Sequence, residues 1–234
     1  MSIHIFFLNF ESQNMCMKQI LKANSYFFLP YLLFLLVCTY FLFSYSRPEL
    51  HILTNEANSD FFDVFFKNAT HLGDGLMVLI FAIIFLFVSY RNTLAFLIGS
   101  LFTSGIVQLF KRVILDDMYR PSKYFELHQD YQLHIIEGVK LHSLNSFPSG
   151  HSATAFNVFL MLTLVTPNKL LKVLFFILAA VTAYSRVYLS QHFLVDITVG
   201  SLTGTVFMLI VYWWSMKWDK NWLDQSVTDL FQLK

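Results

Sequence analysis

Six apolar runs, at about 26–45, 76–90, 93–110, 153–166, 170–189 and 193–214, constrain this chain more than any other feature. An α-helix needs about 20 apolar residues to cross the hydrocarbon of a bilayer, where each backbone N–H and C=O must find its partner within the protein. The first run, Tyr26 to Tyr45, has that length at 20 residues. The runs at 76–90 and 153–166 are shorter, and small or weakly polar residues before them, HLGDG at 71–75 and SFPSGHS at 146–152, extend each one. The expected fold is therefore all-α: a polytopic membrane protein with six transmembrane helices in a bundle. A re-entrant or interfacial segment is the alternative for the two short runs. Composition agrees, with 56% hydrophobic and 13% charged residues, against roughly 45–50% and about 25% in soluble domains.

The division that follows is a cytoplasmic N-terminal segment at 1–24, a transmembrane domain at 25–216 containing a long connection at 111–147, and a tail at 217–234. The first run exceeds the core of a secretory signal and ends in FLFSYSRPE without a small-x-small cleavage site, so it reads as an uncleaved helix. Met15 and Met17, directly ahead of KQILKANSYFF, leave the true start of translation open.

Lysine and arginine asymmetry sets the expected orientation. Lys18, Lys22, Arg91, Lys169, Lys172, Lys217 and Lys220 fall at helix ends that a six-span arrangement puts in the cytoplasm with both termini. The connection after the first run carries Glu49, Glu56, Asp60, Asp63 and Asp74 against Arg47 and Lys67, which places it outside. The 111–147 connection and the turn from Arg186 to His192 then share that outer face. Within the connection, YQLHIIEGVKLHS alternates apolar and polar residues around Glu137-Gly138, which suggests a small hairpin. Tyr124, Phe125, Tyr131, Ile135 and Val139 suit a position against headgroups or over a site, while His128, His134 and His142 read as surface residues.

Some functions are excluded early. A net charge of +1 without a basic run gives no footprint for nucleic acid. Cys16 and Cys38 form neither a disulfide framework nor a metal cluster, and no HExxH-like spacing is present, so no metal and no cofactor are expected. The expected partners are membrane lipids and a lipid substrate; nothing in the sequence sets an oligomeric state.

Three polar constellations fall on the outer face. KRVILDDMYRP, Lys111 to Pro121, brings Lys111, Arg112 and Arg120 to the outer end of the third helix, as anion ligands or as snorkelling cations. SFPSGHS, Ser146 to Ser152, precedes the fourth. There Pro148 suits a first helical turn, the Ser149 and Gly150 amides sit where a helix N-terminus attracts anions, and His151 stands beside them to hand over a proton. SRVYLSQHFLVD, Ser185 to Asp196, sets His192 and Asp196 four residues apart, on one face if the segment is helical, with Arg186 upstream. Taken alone it fits either a structural ion pair or a reactive histidine oriented by a carboxylate.

Together and in this order the constellations resemble the type 2 phosphatidic acid phosphatase superfamily, whose signatures are KxxxxxxRP, PSGH and SRxxxxxxHxxxD or close variants. PSGH is matched in full by Pro148 to His151, and the third signature by Ser185, Arg186, His192 and Asp196 with five residues between arginine and histidine. The likeness runs from about the second apolar run to the sixth. The first signature departs from its spacing, because the position seven residues before Arg120 is Val113. One or two extra residues in LDDMY must bulge, and Lys111, or alternatively Arg112, fills the cation's place.

The resemblance implies a bacterial inner-membrane enzyme that hydrolyses a lipid phosphate or diphosphate without a metal, at a site facing outward. His192 would attack phosphorus and form a phosphohistidine, with Asp196 orienting it and favouring the imidazolium. His151 would protonate the leaving oxygen and later activate water. Lys111 or Arg112, Arg120, Ser149, Gly150 and Arg186 would hold the phosphate. Phosphatidylglycerol phosphate, phosphatidic acid and undecaprenyl diphosphate are the substrate candidates, and a lipid A phosphatase is the alternative that the long loop favours. A phosphotransferase using an acceptor hydroxyl in place of water, and a non-catalytic lipid-binding bundle, are the rival functions.

Overall fold

The computed structural model describes residues 15–115 and 117–232, so residues 1–14, where the start of translation is in question, lie outside it. It is helical, with no strand among the described residues. A short α1 (Met17–Ala23) leads into α2 (Ser25–Ser44), followed by α3 (Arg47–Glu56), α4 (Asp60–Ala69) and a 3-10 turn at Thr70–Gly73. Next come α5 (Gly75–Leu86), α6 (Tyr90–Leu109) with a π turn at Phe110–Ile114, and α7 (Pro121–His128). The chain then forms α8 (Gly150–Val165), α9 (Lys169–Tyr188), α10 (Leu194–Ser215) and α11 (Val227–Gln232).

Four helical stretches are long and apolar enough to cross a membrane: α2, α6 with its π extension, α9 and α10. The chain is a multi-pass membrane protein. Two of the expected runs differ from simple spans. The run at 76–90 is the second half of a broken element in which Asp60–Gly73 meets Gly75–Leu86 at a bend of 55°. Helix α8 has 16 residues, about 24 Å at 1.5 Å per residue, less than the roughly 30 Å hydrocarbon core. Its length is tolerable because 13 of the 16 residues are buried against protein rather than lipid.

The core is built around α8. Lipid tails supply no hydrophobic drive between helices, so close contact and internal hydrogen bonds hold them together. Gly200 and Gly204 on α10 let the two backbones meet: a Cβ on Gly200 would lie 2.5 Å from the Ser149 carbonyl oxygen, and one on Gly204 would overlap the Ala153 carbonyl. Asn157 donates to Thr103 Oγ1 at 3.1 Å and accepts from Ser100 Oγ at 2.9 Å, tying α8 to α6. Helix α2 joins through aromatic rings, with Tyr31 5.0 Å and Phe34 5.8 Å from Phe156. Its Leu29, Leu32, Leu33, Leu36 and Phe43 stay exposed, the surface of a helix that faces lipid.

Cations gather at one end of the bundle. Arg91 is bound by Asp224 at 2.6 Å and by the Ser215 and Trp218 carbonyls, and Lys172 donates to Asn24 Oδ1 at 2.6 Å. Both were expected only as charges at the membrane boundary, yet both are buried clamps between helix ends. At the opposite end lies the long connection. Its expected hairpin does not form: Glu137-Gly138 turns, with Gly138 at φ +77°, but no ladder links the two arms. Their backbone groups pair elsewhere instead. Asn55 holds both the N–H and the C=O of His134, Lys67 Nζ donates to the Glu137 carbonyl, and Gln191 Nε2 to the Lys140 carbonyl. Phe125 is buried against His51, Tyr124 stands edge-on to Phe193, and Ile135 remains exposed.

Candidate active site

At the end opposite those clamps a cavity of about 450 Å³ is lined by Lys67, Thr70, His71, Asp74, Gln108, Lys111, Arg120, Gly138, Val139, Lys140, His142, Gly150, His151, Arg186, Leu189, Gln191 and His192. It collects one end of α6, α8, α9 and α10, together with the Thr70–Gly73 turn and the long connection. Five of these lining residues are lysine or arginine and one is a carboxylate, an imbalance that favours an anion strongly where solvent is scarce.

His192 does not sit in a helix as the four-residue spacing suggested. It occupies a tight turn in which its N–H and that of Gln191 both bond to the Arg186 carbonyl, at 3.0 and 2.9 Å. Asp196 is in the first turn of α10 and its Oδ2 doubles back to accept from Phe193 N at 2.9 Å, from Ser146 Oγ at 2.5 Å and from His192 Nδ1 at 3.4 Å. The pairing therefore comes from a helix-start turn, and it leaves Nε2 as the nitrogen directed at the cavity. Burial first, then Arg120, Lys111 and Arg186 around it, push His192 well below the usual histidine range. Burial and the surrounding cations thus work against the imidazolium form that Asp196 was expected to favour, and toward a ring that keeps its lone pair. Behind it, His51 is buried with Nε2 3.1 Å from Ser190 Oγ, and burial lowers it to about 4.

The arginines converge on one neutral side chain. Arg120 donates from Nε to the Leu144 carbonyl at 3.0 Å and from a terminal nitrogen to Gln191 Oε1 and the Gln191 carbonyl, each at 3.2 Å. Arg186 donates to Thr70 Oγ1 at 2.6 Å and reaches the same Gln191 Oε1 at 3.5 Å. Two buried guanidiniums sharing one neutral acceptor repel each other, and an anion between them relieves that repulsion. Lys111 lines the same cavity, whereas Arg112 is exposed and does not.

Lys111 stands nine residues before Arg120 where the signature has seven, and one of the two extra residues is accounted for here. The π turn at Phe110–Ile114 inserts an extra residue into the helical ladder, a distortion that often accompanies functional sites. It lies upstream of LDDMY, where the bulge was expected; of that stretch, Asp116 is outside the described residues.

PSGH also departs from expectation in detail. Helix α8 starts at Gly150, so Pro148 precedes the N-cap rather than beginning the first turn, and Phe147-Pro148 is cis. Ser149 is the N-cap: its hydroxyl accepts from Ser152 N at 3.4 Å and its own N–H is spent on the Asp196 carbonyl at 2.9 Å. Ser149 is buried and outside the cavity lining, while Gly150, in the first helical position, lies in it. His151 faces the cavity with Nε2 2.8 Å from Asp74 Oδ1.

Reasoning from sequence missed Asp74, Gln191 and Thr70, while His142 is exposed as expected, at the rim of the cavity. His142 is lowered by burial and by Arg120, Lys140, Arg186 and Lys111, the signature of a position beside a cationic cluster. Among the described residues no three His, Cys, Asp or Glu side chains converge as metal ligands do.

The PAP2 superfamily matches residues 92–220, more than half of the chain. The chain belongs to that superfamily. The match begins inside α6 and spans all three polar constellations, so the family kinship that the motifs imply rests on the same helices that build the cavity. Among solved structures, LpxE of Aquifex aeolicus is similar with a TM-score of 0.61 and 24% identity, over 70% of this chain and 92% of that one. The first transmembrane PAP2 type phosphatidylglycerolphosphate phosphatase from Bacillus subtilis is similar with a TM-score of 0.60 and 20% identity, over 86% and 98%. No match is found among curated proteins. At these identities the two structures establish a shared PAP2 fold.

Proposed function

We propose that this protein is a metal-independent membrane phosphatase that hydrolyses a lipid phosphate or diphosphate through a phosphohistidine on His192. The observation that carries the reading is the cavity itself: a buried His192, held well below the usual histidine range, facing the gathered cationic side chains of Lys111, Arg120 and Arg186. Phosphoryl transfer asks a protein chiefly for placement and for charge compensation on the equatorial oxygens. Lys111, Arg120, Arg186 and the Gly150 amide supply both, and Ser149 holds the turn that presents Gly150. Arg112, exposed on the outside of the π turn, is set aside as the phosphate ligand.

In the first step His192 Nε2 forms a bond to phosphorus as the bond to the leaving oxygen breaks, and His151 gives that oxygen a proton. In the second step His151 takes a proton from water, the water oxygen bonds to phosphorus, and the N–P bond breaks to release phosphate. Asp196 and the turn around it hold the His192 ring for both steps.

The reading extends to six crossings, with the bent α4–α5 element and the short α8 each counted as one, in the inner membrane of a bacterium. Both termini are then cytoplasmic and the cavity faces outward. Its support is the separation of the Arg91 and Lys172 clamps from the cavity by the length of the bundle. The substrate belongs to the class of phosphatidylglycerol phosphate, phosphatidic acid or undecaprenyl diphosphate, whose phosphate lies at the depth of this cavity. The test is phosphate release by detergent-purified protein on those three lipids and lipid A, in EDTA, beside His192→Ala. Turnover of at least one lipid, abolished by the substitution, is the expected result. Full activity in His192→Ala, or a strict metal requirement, refutes the mechanism. Preference for lipid A among the four would move the substrate to the saccharolipid class.

A further inference from the structure

His192 has its carboxylate partner in Asp196, and the structure gives His151 one of its own from a segment upstream of the family match. Asp74 follows the Thr70–Gly73 turn as the N-cap of α5, where an aspartate ordinarily accepts from the helix's first free N–H groups. It makes no such cap bond. Its two oxygens go to two histidines: Oδ1 lies 2.8 Å from His151 Nε2, and Oδ2 lies 2.8 Å from His71 Nδ1. The approach is tight, because a Cβ on Gly73 would stand 2.7 Å from the His151 carbonyl oxygen and 3.0 Å from its Cβ. The bend between α4 and α5 thus delivers a carboxylate to the imidazole from outside the helix that carries it.

We propose that Asp74 is the positioning carboxylate of His151, holding its ring through Nε2 so that Nδ1 carries the proton exchanged with the leaving oxygen and with water. The proposal rests on the reading of His151 as the general acid and base. Asp74 touches no reacting atom. It fixes the tautomer and the angle of the ring, and it offsets the positive charge the ring bears before it gives up its proton. That offset matters here because Arg186, Lys111 and Arg120 line the same cavity, with His142 and His192 beside them and His71 on the far side of the carboxylate. In the transfer the Nδ1–H bond breaks, the proton goes to the alkoxide oxygen leaving phosphorus, and Asp74 stays ionised throughout.

The test exploits the leaving group. An alkyl phosphate such as phosphatidic acid needs its leaving oxygen protonated, whereas p-nitrophenyl phosphate releases a stable phenolate and hardly needs an acid. Asp74→Asn, which keeps the shape but not the charge, is expected to lower kcat/KM, which reports formation of the phosphohistidine and not its hydrolysis, about 10–100-fold on phosphatidic acid and less than about 3-fold on the aryl phosphate. His151→Ala, run in parallel, is expected to show the same split with a larger loss. Asp74→Glu, which restores a carboxylate, is expected to recover part of the loss on phosphatidic acid alone. A split in His151→Ala without one in Asp74→Asn overturns the proposal and leaves the acid intact. Absence of a split in both variants removes the acid itself and the proposal with it. Equal losses on both substrates in Asp74→Asn, or a gain on either, assign Asp74 a structural or obstructing role and overturn the proposal.

Discussion

Gly200→Ala probes whether the distance between the two histidines is set by the α8–α10 contact. A methyl at this position would lie 2.5 Å from the Ser149 carbonyl oxygen, 3.2 Å from Ser152 Cβ and 3.3 Å from the Ser149 carbonyl carbon. Ordinary contact begins near 3.4 Å, so 3.4 Å less 2.5 Å leaves about 0.9 Å to be found by moving one helix against the other. None of the three atoms is the end of a flexible side chain. Overpacking of this kind costs about 1–3 kcal/mol, and misplacing catalytic groups by about 1 Å costs on the order of 100-fold in rate. Ser149 adjoins the turn that presents Gly150 and His151, and Gly200 lies on the helix whose first turn holds Asp196, so the displacement passes directly into the site. The assay is kcat for phosphate release together with the thermal midpoint in detergent. Gly105→Ala serves as the control, since nothing lies within 4 Å of its Cβ position and the substitution adds helix propensity of up to about 1 kcal/mol. An unchanged kcat and midpoint in Gly200→Ala would refute the claim that this contact sets the site's geometry.

Lys111→Ala should lower kcat about 100–1,000-fold, the usual loss for one preorganised charge donor, while Arg112→Ala stays within about 3-fold; equal, mild losses would sink the assignment of either to phosphate. Because His192 lies below the usual histidine range, its neutral form persists as pH falls through 6.5, and the acid limb of kcat/KM that it governs should appear below that value. A limb at or above pH 6.5 that vanishes with the nucleophile would contradict this. Buried His51, lowered from 6.5 to about 4, makes the unfolded chain bind one more proton than the folded one between those values. Its contribution is therefore intact above pH 6.5 and lost as pH falls toward 4, by about 3 kcal/mol in all. His51→Gln should flatten that acid sensitivity in chemical denaturation, and an undiminished slope would exclude His51 as its source.

Much of the fold was legible because a bilayer leaves a sequence few options. The runs at 93–110, 153–166, 170–189 and 193–214 fall within a few residues of α6, α8, α9 and α10. Helix α4 was not legible as part of a span, since DFFDVFFKNA mixes two aspartates and a lysine among its phenylalanines. Those charges are used locally: Asp63 accepts from Tyr188 at 2.6 Å and pairs with His134, and Lys67 pins the Gly138 turn. In the site, PSGH and the His192–Asp196 spacing could be read because each is contained in one short stretch. Asp74 could not, because 77 residues separate it from His151 and a bend of the chain brings them together. Gln191 was hidden for another reason: a neutral amide between two arginines carries no sign of its role until both guanidiniums are seen to share it.

The π turn at Phe110–Ile114 bears on how such proteins are found as well as on how this one works. A signature written as a fixed count of residues assumes a constant rise per residue between its two ends. A widened turn breaks that assumption by one of the two extra residues while leaving the lysine at the cavity wall. A pattern with rigid spacing rejects this chain at Val113. A pattern that tolerates an insertion at the end of this helix admits it, and would gather other chains in which the same helix has gained or lost a residue without losing its cation.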